Sequence, residues 1–197
     1  MNYRKLNGVT LQDAYPLPRI DEILDALAGS KYFSTLNLTS GYWQVLLDKN
    51  AHEKSAFATC SGLWKWKVLP FGLTSAPTTF QRLIEQVLHG LHWKTLLLYL
   101  DDVIVISPDF ESHLQRLQDV FNWLQDAGLK LKPSRCELLQ DEVYFLGHVV
   151  SADGVATDPD KVAAVRQWEA PKDVKALQAF LETTDSTFQT LPQSPSL

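Results

Sequence analysis

The sequence predicts an α+β fold, in which a small antiparallel sheet carries helices on one face. One hairpin is predicted where an apolar run over 96–106 is interrupted only by Asp101-Asp102, a pattern typical of two buried strands joined by a tight turn. A second hairpin is predicted over 55–69, around the turn dipeptide Ser61-Gly62. Apolar residues at helical spacing predict a long helix after each hairpin. A chain of 197 residues can hold one such domain and a fragment of a second.

The first part of the chain contributes a helix and a strand. Residues 1–16 are polar and show no periodicity. Apolar residues at helical spacing then predict a helix over 20–27, which Gly29 ends. The apolar and β-branched segment Tyr32–Leu38 is predicted as a strand.

Tryptophan alternates with lysine in the second strand of the hairpin predicted over 55–69. Trp64 and Trp66 should share one face of a strand and Lys65 and Lys67 the other, because strand side chains alternate with a period of two. The simpler interpretation is a half-buried strand with solvated lysines. The functional interpretation is a finger that packs on one side and meets phosphate groups on the other.

Two adjacent carboxylates lie at the turn of the hairpin predicted over 96–106. A buried carboxylate without a partner is costly, so Asp101 and Asp102 are expected to be neutralised, paired or bound to a metal. Acids at a hairpin tip can hold a hard divalent cation such as Mg²⁺ through their oxygens. Aspartate is also common in turns, so the dipeptide alone leaves a plain turn open.

Helix caps, prolines and periodicity define the remaining elements. Thr74 or Ser75 can cap the first long helix, and Ser107-Pro108 opens the second, which Gly128 ends. A basic loop is predicted at 130–135 and a strand-like segment at 143–150. Two further helices are predicted, one over 159–168 and one from about 173, and the polar tail over 182–197 is predicted to be disordered.

Composition restricts the class of protein. The net charge of -5 argues mildly against a free-standing nucleic-acid binder but leaves room for a basic groove on an acidic body. Cys60 and Cys136 form no metal-ligand spacing, which indicates free thiols in a reducing compartment. We therefore expect an intracellular protein, in the cytoplasm or the nucleus. No signal peptide is visible and the apolar runs are too short to cross a bilayer, so no membrane partner is expected.

Six segments resemble the motifs of one polymerase family. They are Tyr3–Asn7, Tyr15–Ile20, Phe33–Val45, Leu69–Gln81, Tyr99–Asp102 and Phe145–His148. Each short motif alone is unspecific, whereas the series in this order is highly specific. On these motifs the chain is identified as a member of the reverse transcriptases of gypsy-type LTR retrotransposons. The resemblance implies a palm with partial fingers over 1–155, the start of a thumb over 156–181 and a divergent tail over 182–197.

The resemblance also implies a reaction, RNA-directed DNA polymerisation. A primer hydroxyl attacks the α-phosphate of a dNTP, and two divalent cations, Mg²⁺ or Mn²⁺, clamp the attacking and leaving oxygens. Asp101 and Asp102 would bind metal, and residue 37 is the third catalytic position. The implied partners are a dNTP and an RNA or DNA template with its primer, and the family allows a dimer.

Two groups of residues would contact these substrates. Tyr42 resembles the gate that fills the space of a ribose 2′-hydroxyl, although ordinary packing would also explain Tyr42, Phe71 and Gln81. The nucleotide pocket is predicted at Leu38, Tyr42, Phe71, Gly72 and Gln81. Nucleic-acid contacts are predicted at Lys65, Lys67, Lys132, Arg135, Gly147 and His148, the last two in a hairpin that resembles the one gripping the primer end.

Three departures from the family pattern predict an impaired copy. Asn37 stands where the family has a metal-binding aspartate, and an uncharged amide is a poor ligand for a shared pair of Mg²⁺ ions. The chain opens after strands of the fingers, with Met1 resembling a start inside an older frame, and the thumb resemblance stops at Glu182. We therefore expect a truncated enzyme that is weakly active or inactive. The alternatives are a non-catalytic RNA/DNA-binding relic and a product without selected function.

Overall fold

The computed structural model describes residues 2–11 and 13–159. The elements along the chain are α1 (Arg4–Asn7), α2 (Ile20–Asp25), β1 (Tyr32–Asn37), a 3-10 turn (Gly41–Gln44), α3 (Lys49–His52), β2 (Phe57–Thr59), β3 (Gly62–Trp64), α4 (Ala76–Val87), β4 (Leu96–Tyr99), β5 (Asp102–Ser107), α5 (Phe110–Asp126), a second 3-10 turn (Pro133–Arg135), β6 (Glu137–Gln140), β7 (Glu142–Phe145), β8 (His148–Ser151) and β9 (Gly154–Thr157). Nearly all of the helix predicted over 159–168, the helix near 173 and the tail over 182–197 lie outside the described residues, so these predictions and the domain boundaries stay predictions. Among the described helices, none has the length and hydropathy that a membrane span requires.

A four-stranded antiparallel sheet in the order β4-β5-β1-β6 forms the centre of the fold. The strands β4 and β5 form the predicted hairpin, in which Tyr99 lies opposite Asp102. Strand β1 pairs with the other side of β5, which puts Asn37 opposite Asp102 as well. The end of β1 and the acidic turn therefore meet at one end of the sheet.

Each face of this sheet is covered by other elements. Leu36 and Val103 point to the face on which the long helices α4 and α5 pack, as predicted. Leu97 and Ile104 point to the opposite face, where α2 and the hairpin of β7 and β8 pack. Each fully buried side chain of this size contributes about 1.5–3 kcal/mol, so packing on both faces holds the sheet firmly. Asp102 lies two residues before Ile104 and therefore belongs to the second face.

A buried polar chain crosses the first face at His113. His113 Nδ1 lies 2.8 Å from Ser107 Oγ, which donates its own proton to the carbonyl of Asp109. Ser107 must therefore accept from His113, so Nδ1 carries the proton and Nε2 accepts from Ser34 Oγ at 2.7 Å. Ser34 in turn accepts from the Leu139 amide. Neutral histidine satisfies this chain, and burial lowers the pKa of His113 below its ordinary value.

The structure differs from the sequence expectations in two places that affect the site. Strand β3 ends at Trp64, so the predicted alternation of tryptophan and lysine does not continue. Trp66 instead stacks on Trp43, with the ring centroids 6.0 Å apart, because the chain after β3 pairs with the segment after Trp43 through Leu46 and Val68. Strand β6 was not predicted, since all four of its residues are exposed and show no apolar alternation.

The N-cap residues of the two long helices were predicted only in part. Ser75 precedes α4 as predicted, but its side chain makes no capping hydrogen bond. The cap of α5 is Asp109 rather than Ser107-Pro108, because the Asp109 carboxylate accepts from the Ser112 amide at 2.9 Å.

Candidate active site

The acidic turn is strained and tied to the end of β1. Because Tyr99 pairs with Asp102, Leu100 and Asp101 form a two-residue turn. Leu100 has φ of 55°, in the left-handed region that a bulky side chain rarely adopts. The amide of Leu38 donates to the carbonyl of Asp101 at 3.2 Å. Leu38 thus reaches the turn through its backbone, while its side chain lies in the core.

Asn37 meets Asp102 directly. The Asn37 Nδ2 group donates to Asp102 Oδ1 at 2.9 Å. Burial raises the pKa of Asp102 and the neighbouring Asp101 raises it further, whereas the hydrogen bond from Asn37 and the charge of Arg135 lower it. The Asn37 amide therefore stabilises the ionised form of Asp102, which burial disfavours.

The donor set at this corner is two carboxylates, which by their chemistry suit one hard divalent cation better than a shared pair. Asp101 and Asp102 offer carboxylate oxygens, the ligands that Mg²⁺ and Mn²⁺ prefer. Across residues 2–11 and 13–159, no group of three or more histidine, cysteine, aspartate or glutamate side chains is arranged to hold a metal. The Asn37 N–H points at Asp102, and an N–H group cannot ligate a cation. The amide would have to turn its oxygen inward before it could join a metal site.

A cavity of about 330 Å³ opens beside Asn37 and Asp102. Its wall includes Asn37, Asp102 and Arg135 on one side and Tyr144–Leu146 on the other. It lies between the sheet and the hairpin of β7 and β8.

The remaining predicted residues near the cavity are held by backbone contacts. The amide of Lys132 donates to the carbonyl of Asn37 at 2.8 Å, so the exposed segment with Lys132 and Arg135 runs along the end of β1. Gly147 turns the β7–β8 hairpin with φ of 78°, and His148 is buried at the start of β8.

An aromatic cluster of Tyr42, Phe71 and Phe80, here called the Tyr42 wall, lies next to the acidic turn. The ring of Tyr42 lies 5.0 Å from that of Phe71 and 5.4 Å from that of Phe80, measured between centroids. Burial raises the pKa of Tyr42, and the nearby charge of Asp101 adds to this effect. The predicted residues Tyr42, Phe71 and Asp101 are therefore close together.

Two residues that support this wall were missed by sequence reasoning. Asn7 donates from Nδ2 to the carbonyl of Gly72 at 2.8 Å and accepts from the Thr74 amide, which anchors the loop that carries Phe71. Trp43 stacks edge-on against Phe71 with centroids 5.6 Å apart. The only signal for either residue was its place inside a segment that resembles the family.

Three other predicted site residues are not exposed next to the acidic turn: one is buried beneath it, and two lie in another part of the fold. Gln81 is fully buried in α4, and its Oε1 accepts from the Leu100 amide at 2.6 Å. Lys65 and Lys67 are exposed beyond the end of β3, in the separate two-stranded sheet region. The acidic turn, position 37 and the Tyr42 wall are thus brought together, whereas these two lysines belong to another part of the fold.

Comparison with known proteins identifies the family. Residues 1–150 match the family described as reverse transcriptase (RNA-dependent DNA polymerase). The chain is 44% identical over 184 residues to the retrovirus-related Pol polyprotein from transposon 297 of Drosophila melanogaster, and this match covers 93% of the chain and 17% of the relative. It is 36% identical over 181 residues to the Pol polyprotein from transposon gypsy of the same organism, covering 92% of the chain and 18% of the relative.

The structural comparison agrees with the sequence comparison. The foamy viral protease-reverse transcriptase dRH in complex with dsDNA superposes with a TM-score of 0.87 at 26% identity, covering 93% of the chain and 32% of that protein. The foamy viral protease-reverse transcriptase in complex with an RNA/DNA hybrid superposes with a TM-score of 0.83 at 26% identity, covering 93% of the chain and 25% of that protein. The chain spans less than a fifth of the length of the two Pol polyproteins. With its sheet order, acidic turn and family match in agreement, the chain belongs to the reverse transcriptase (RNA-dependent DNA polymerase) family and corresponds to that domain of a retrotransposon Pol polyprotein.

Proposed function

We propose that this domain binds a primed RNA or DNA template and a dNTP, and that its nucleotidyl transfer is impaired because residue 37 is asparagine. The observation that carries the proposal is the hydrogen bond from Asn37 Nδ2 to Asp102 Oδ1 at 2.9 Å. It puts a hydrogen-bond donor where a third carboxylate would help to hold cations.

Enzymes of this family use divalent metal ions. In two-metal transfer the ions stabilise the attacking and leaving oxygens, which requires several carboxylates around them. Asp101 and Asp102 would hold one Mg²⁺ or Mn²⁺ ion here, with the Asn37 amide as a neutral neighbour. Losing one ion that stabilises the transition state by several kcal/mol lowers the rate on the order of a thousandfold.

The substrates are assigned by the surfaces around the acidic turn. Tyr42, Phe71 and Gly72 would form the dNTP wall, with Leu38 and Gln81 behind it. The cavity beside Arg135 would receive the primer end, with Lys132 and Gly147 near it and Lys65 and Lys67 meeting phosphates farther out. His148 is fully buried, so it would support the hairpin rather than contact nucleic acid. The foamy viral relative in complex with dsDNA and with an RNA/DNA hybrid supports this class of partner.

The test is primer extension on an RNA template with Mg²⁺, comparing the chain with its Asn37→Asp variant. We expect extension by the variant and activity near background for the unaltered chain, a difference of about a thousandfold. The matched control is Asn37→Asp combined with Asp101→Asn, which has the same net charge as the unaltered chain and should be inactive. Equal rates for the chain and Asn37→Asp, or silence from both, would contradict the proposal that Asn37 limits the reaction.

Template binding is measured separately. Filter binding to an RNA–DNA hybrid across a salt series should show affinity that falls as salt rises, because phosphate contacts release counterions. Negligible binding at every salt concentration would refute the assignment of the basic residues.

A further inference from the structure

A buried polar chain lies directly beneath the acidic turn. Gln81 projects from α4 and is completely buried. Its Oε1 accepts from the amide of Leu100 at 2.6 Å. Leu100 is the turn residue with φ of 55°, so this hydrogen bond holds the one residue whose backbone is strained immediately before Asp101 and Asp102.

The orientation of the Gln81 amide is fixed by Glu85. An amide side chain presents an acceptor on one end and a donor on the other, and the two ends can exchange by rotation. The Leu100 amide can only donate, so Gln81 must present its oxygen to the turn. Its Nε2 group then donates to Glu85 Oε1 at 2.7 Å. A carboxylate only accepts, and Glu85 therefore favours the same orientation that the turn requires.

Tyr15 holds Glu85 in turn. The phenol of Tyr15 donates to Glu85 Oε2, the second oxygen of the carboxylate. This hydrogen bond raises the pKa of Tyr15, so the phenol stays protonated as a donor. Arg82 lies with its guanidinium carbon 5.6 Å from the centre of the Tyr15 ring and pairs with Asp13 at 2.9 Å, which attaches the segment before α2 to α4.

We propose that Glu85 and Tyr15 are positioning residues that act through Gln81 to hold the acidic turn in its cation-binding geometry. The inference rests on the proposed function, because that function assigns a cation to Asp101 and Asp102. Neither Glu85 nor Tyr15 touches the reacting atoms. Each acts through a hydrogen bond to the next side chain. The series runs from Tyr15, before α2, through Glu85 and Gln81 to the turn between β4 and β5.

The first measurement is the affinity of the full chain for Mn²⁺, by titration with electron paramagnetic resonance. We expect Glu85→Leu to weaken Mn²⁺ binding about tenfold, which corresponds to about 1.4 kcal/mol. Glu85→Gln should bind nearly as well as the unaltered chain, since a glutamine oxygen can still accept from Gln81. Gln86→Leu, at an exposed position of the same helix, is the matched control and should leave the affinity unchanged.

The second measurement is hydrogen exchange at the Leu100 amide, by nuclear magnetic resonance. Glu85→Leu should raise the exchange rate at Leu100 about tenfold, and Tyr15→Phe, which removes one hydroxyl, should raise it by a smaller factor. Amides in the middle of β5, such as that of Ile104, should exchange as before, which separates positioning from general loss of stability. Tyr15→Phe also keeps the test decisive if Glu85→Leu does not fold.

The outcomes distinguish this inference from the proposed function. Unchanged Mn²⁺ affinity and unchanged Leu100 exchange in a folded Glu85→Leu protein would overturn the positioning role. Absence of Mn²⁺ binding by the unaltered chain would instead refute the proposed cation site. In that case the exchange rate at Leu100 alone decides whether Glu85 and Tyr15 hold the turn.

Discussion

Replacing Asn37 with aspartate should make the stability of the chain depend more strongly on Mg²⁺ than it does in the unaltered chain. The substitution exchanges the amide donor for a carboxylate, 2.9 Å from Asp102 Oδ1 in the present geometry. Two carboxylates at hydrogen-bonding distance repel each other, and Asp101 adds a third negative charge nearby. Without a cation, the variant has lost a stabilising contact and gained an unfavourable one.

The magnitude follows from the two contributions. A hydrogen bond to a charged group contributes about 1.5–3 kcal/mol. Repulsion between charges about 4 Å apart adds up to about 4 kcal/mol at an effective dielectric constant near 20. Asp102 is partly exposed, so solvent screening and small shifts reduce this figure, and a net loss of about 3 kcal/mol is expected in EDTA. For a chain of this size that loss lowers the Tm by roughly 6–12 °C.

Magnesium should reverse most of this loss. A cation bound only by the folded state adds about 2.7 kcal/mol when its concentration is a hundredfold above the Kd. The assay is thermal unfolding by circular dichroism, in EDTA and in increasing Mg²⁺, for the chain and for Asn37→Asp. Asn37→Ala is the matched control, because it removes the hydrogen bond without adding charge and should respond to Mg²⁺ no more than the unaltered chain does.

One result would refute the reasoning. If Asn37→Asp unfolds at the same temperature as the unaltered chain in EDTA and shows no shift with Mg²⁺, then position 37 and Asp102 do not form the cation site. The local geometry at the end of β1 would then have no bearing on metal binding.

Two further predictions concern the packing and the buried histidine. Gly41→Ala should destabilise the fold by about 1–3 kcal/mol, because the new Cβ would lie 2.7 Å from Cζ of the fully buried Phe80; chemical denaturation should show a smaller effect of the same change in a Phe80→Leu background, and equal effects in both would contradict the clash. Burial depresses the pKa of His113 below its ordinary value of 6.5, so its contribution to stability is complete above about pH 6.5 and is lost as the pH falls from there toward the folded-state pKa. His113→Gln should therefore reduce the slope of unfolding free energy against pH below 6.5, by up to about 1.4 kcal/mol per pH unit; an unchanged slope would show that His113 does not bind the proton on unfolding.

The acidic hairpin shows how much of the fold local sequence determines. Its two apolar runs and Asp101-Asp102 specify strands and a turn without reference to any other part of the chain, and the structure has both strands there. Strand β6 shows the opposite case, since its four exposed residues carry no pattern and become a strand only because β1 offers an unpaired edge. Backbone pairing of that kind depends on distant residues and leaves no periodic signal in the sequence.

The candidate site divides in the same way. The residues at positions 37, 42, 101 and 102 were predicted from motifs to form the site, and the structure brings them close together. The support of that site was not predictable: Gln81 was assigned to the nucleotide pocket, whereas its amide lies under Leu100. Asn7 likewise reaches the loop of Gly72 across 65 positions of sequence. Such contacts depend on how helices and loops pack, which no local pattern records.

The sequence by itself determined the family, the acidic turn and the loss of a carboxylate at position 37, because motif identity and charge are properties of the residues themselves. Only the tertiary structure decided what replaces that carboxylate, since the register of β1 against β5 puts the Asn37 amide opposite Asp102. It also decided that Tyr15 and Glu85 lie behind the turn. Hydrogen bonds between residues far apart in the chain exist only once packing has fixed their distance and direction.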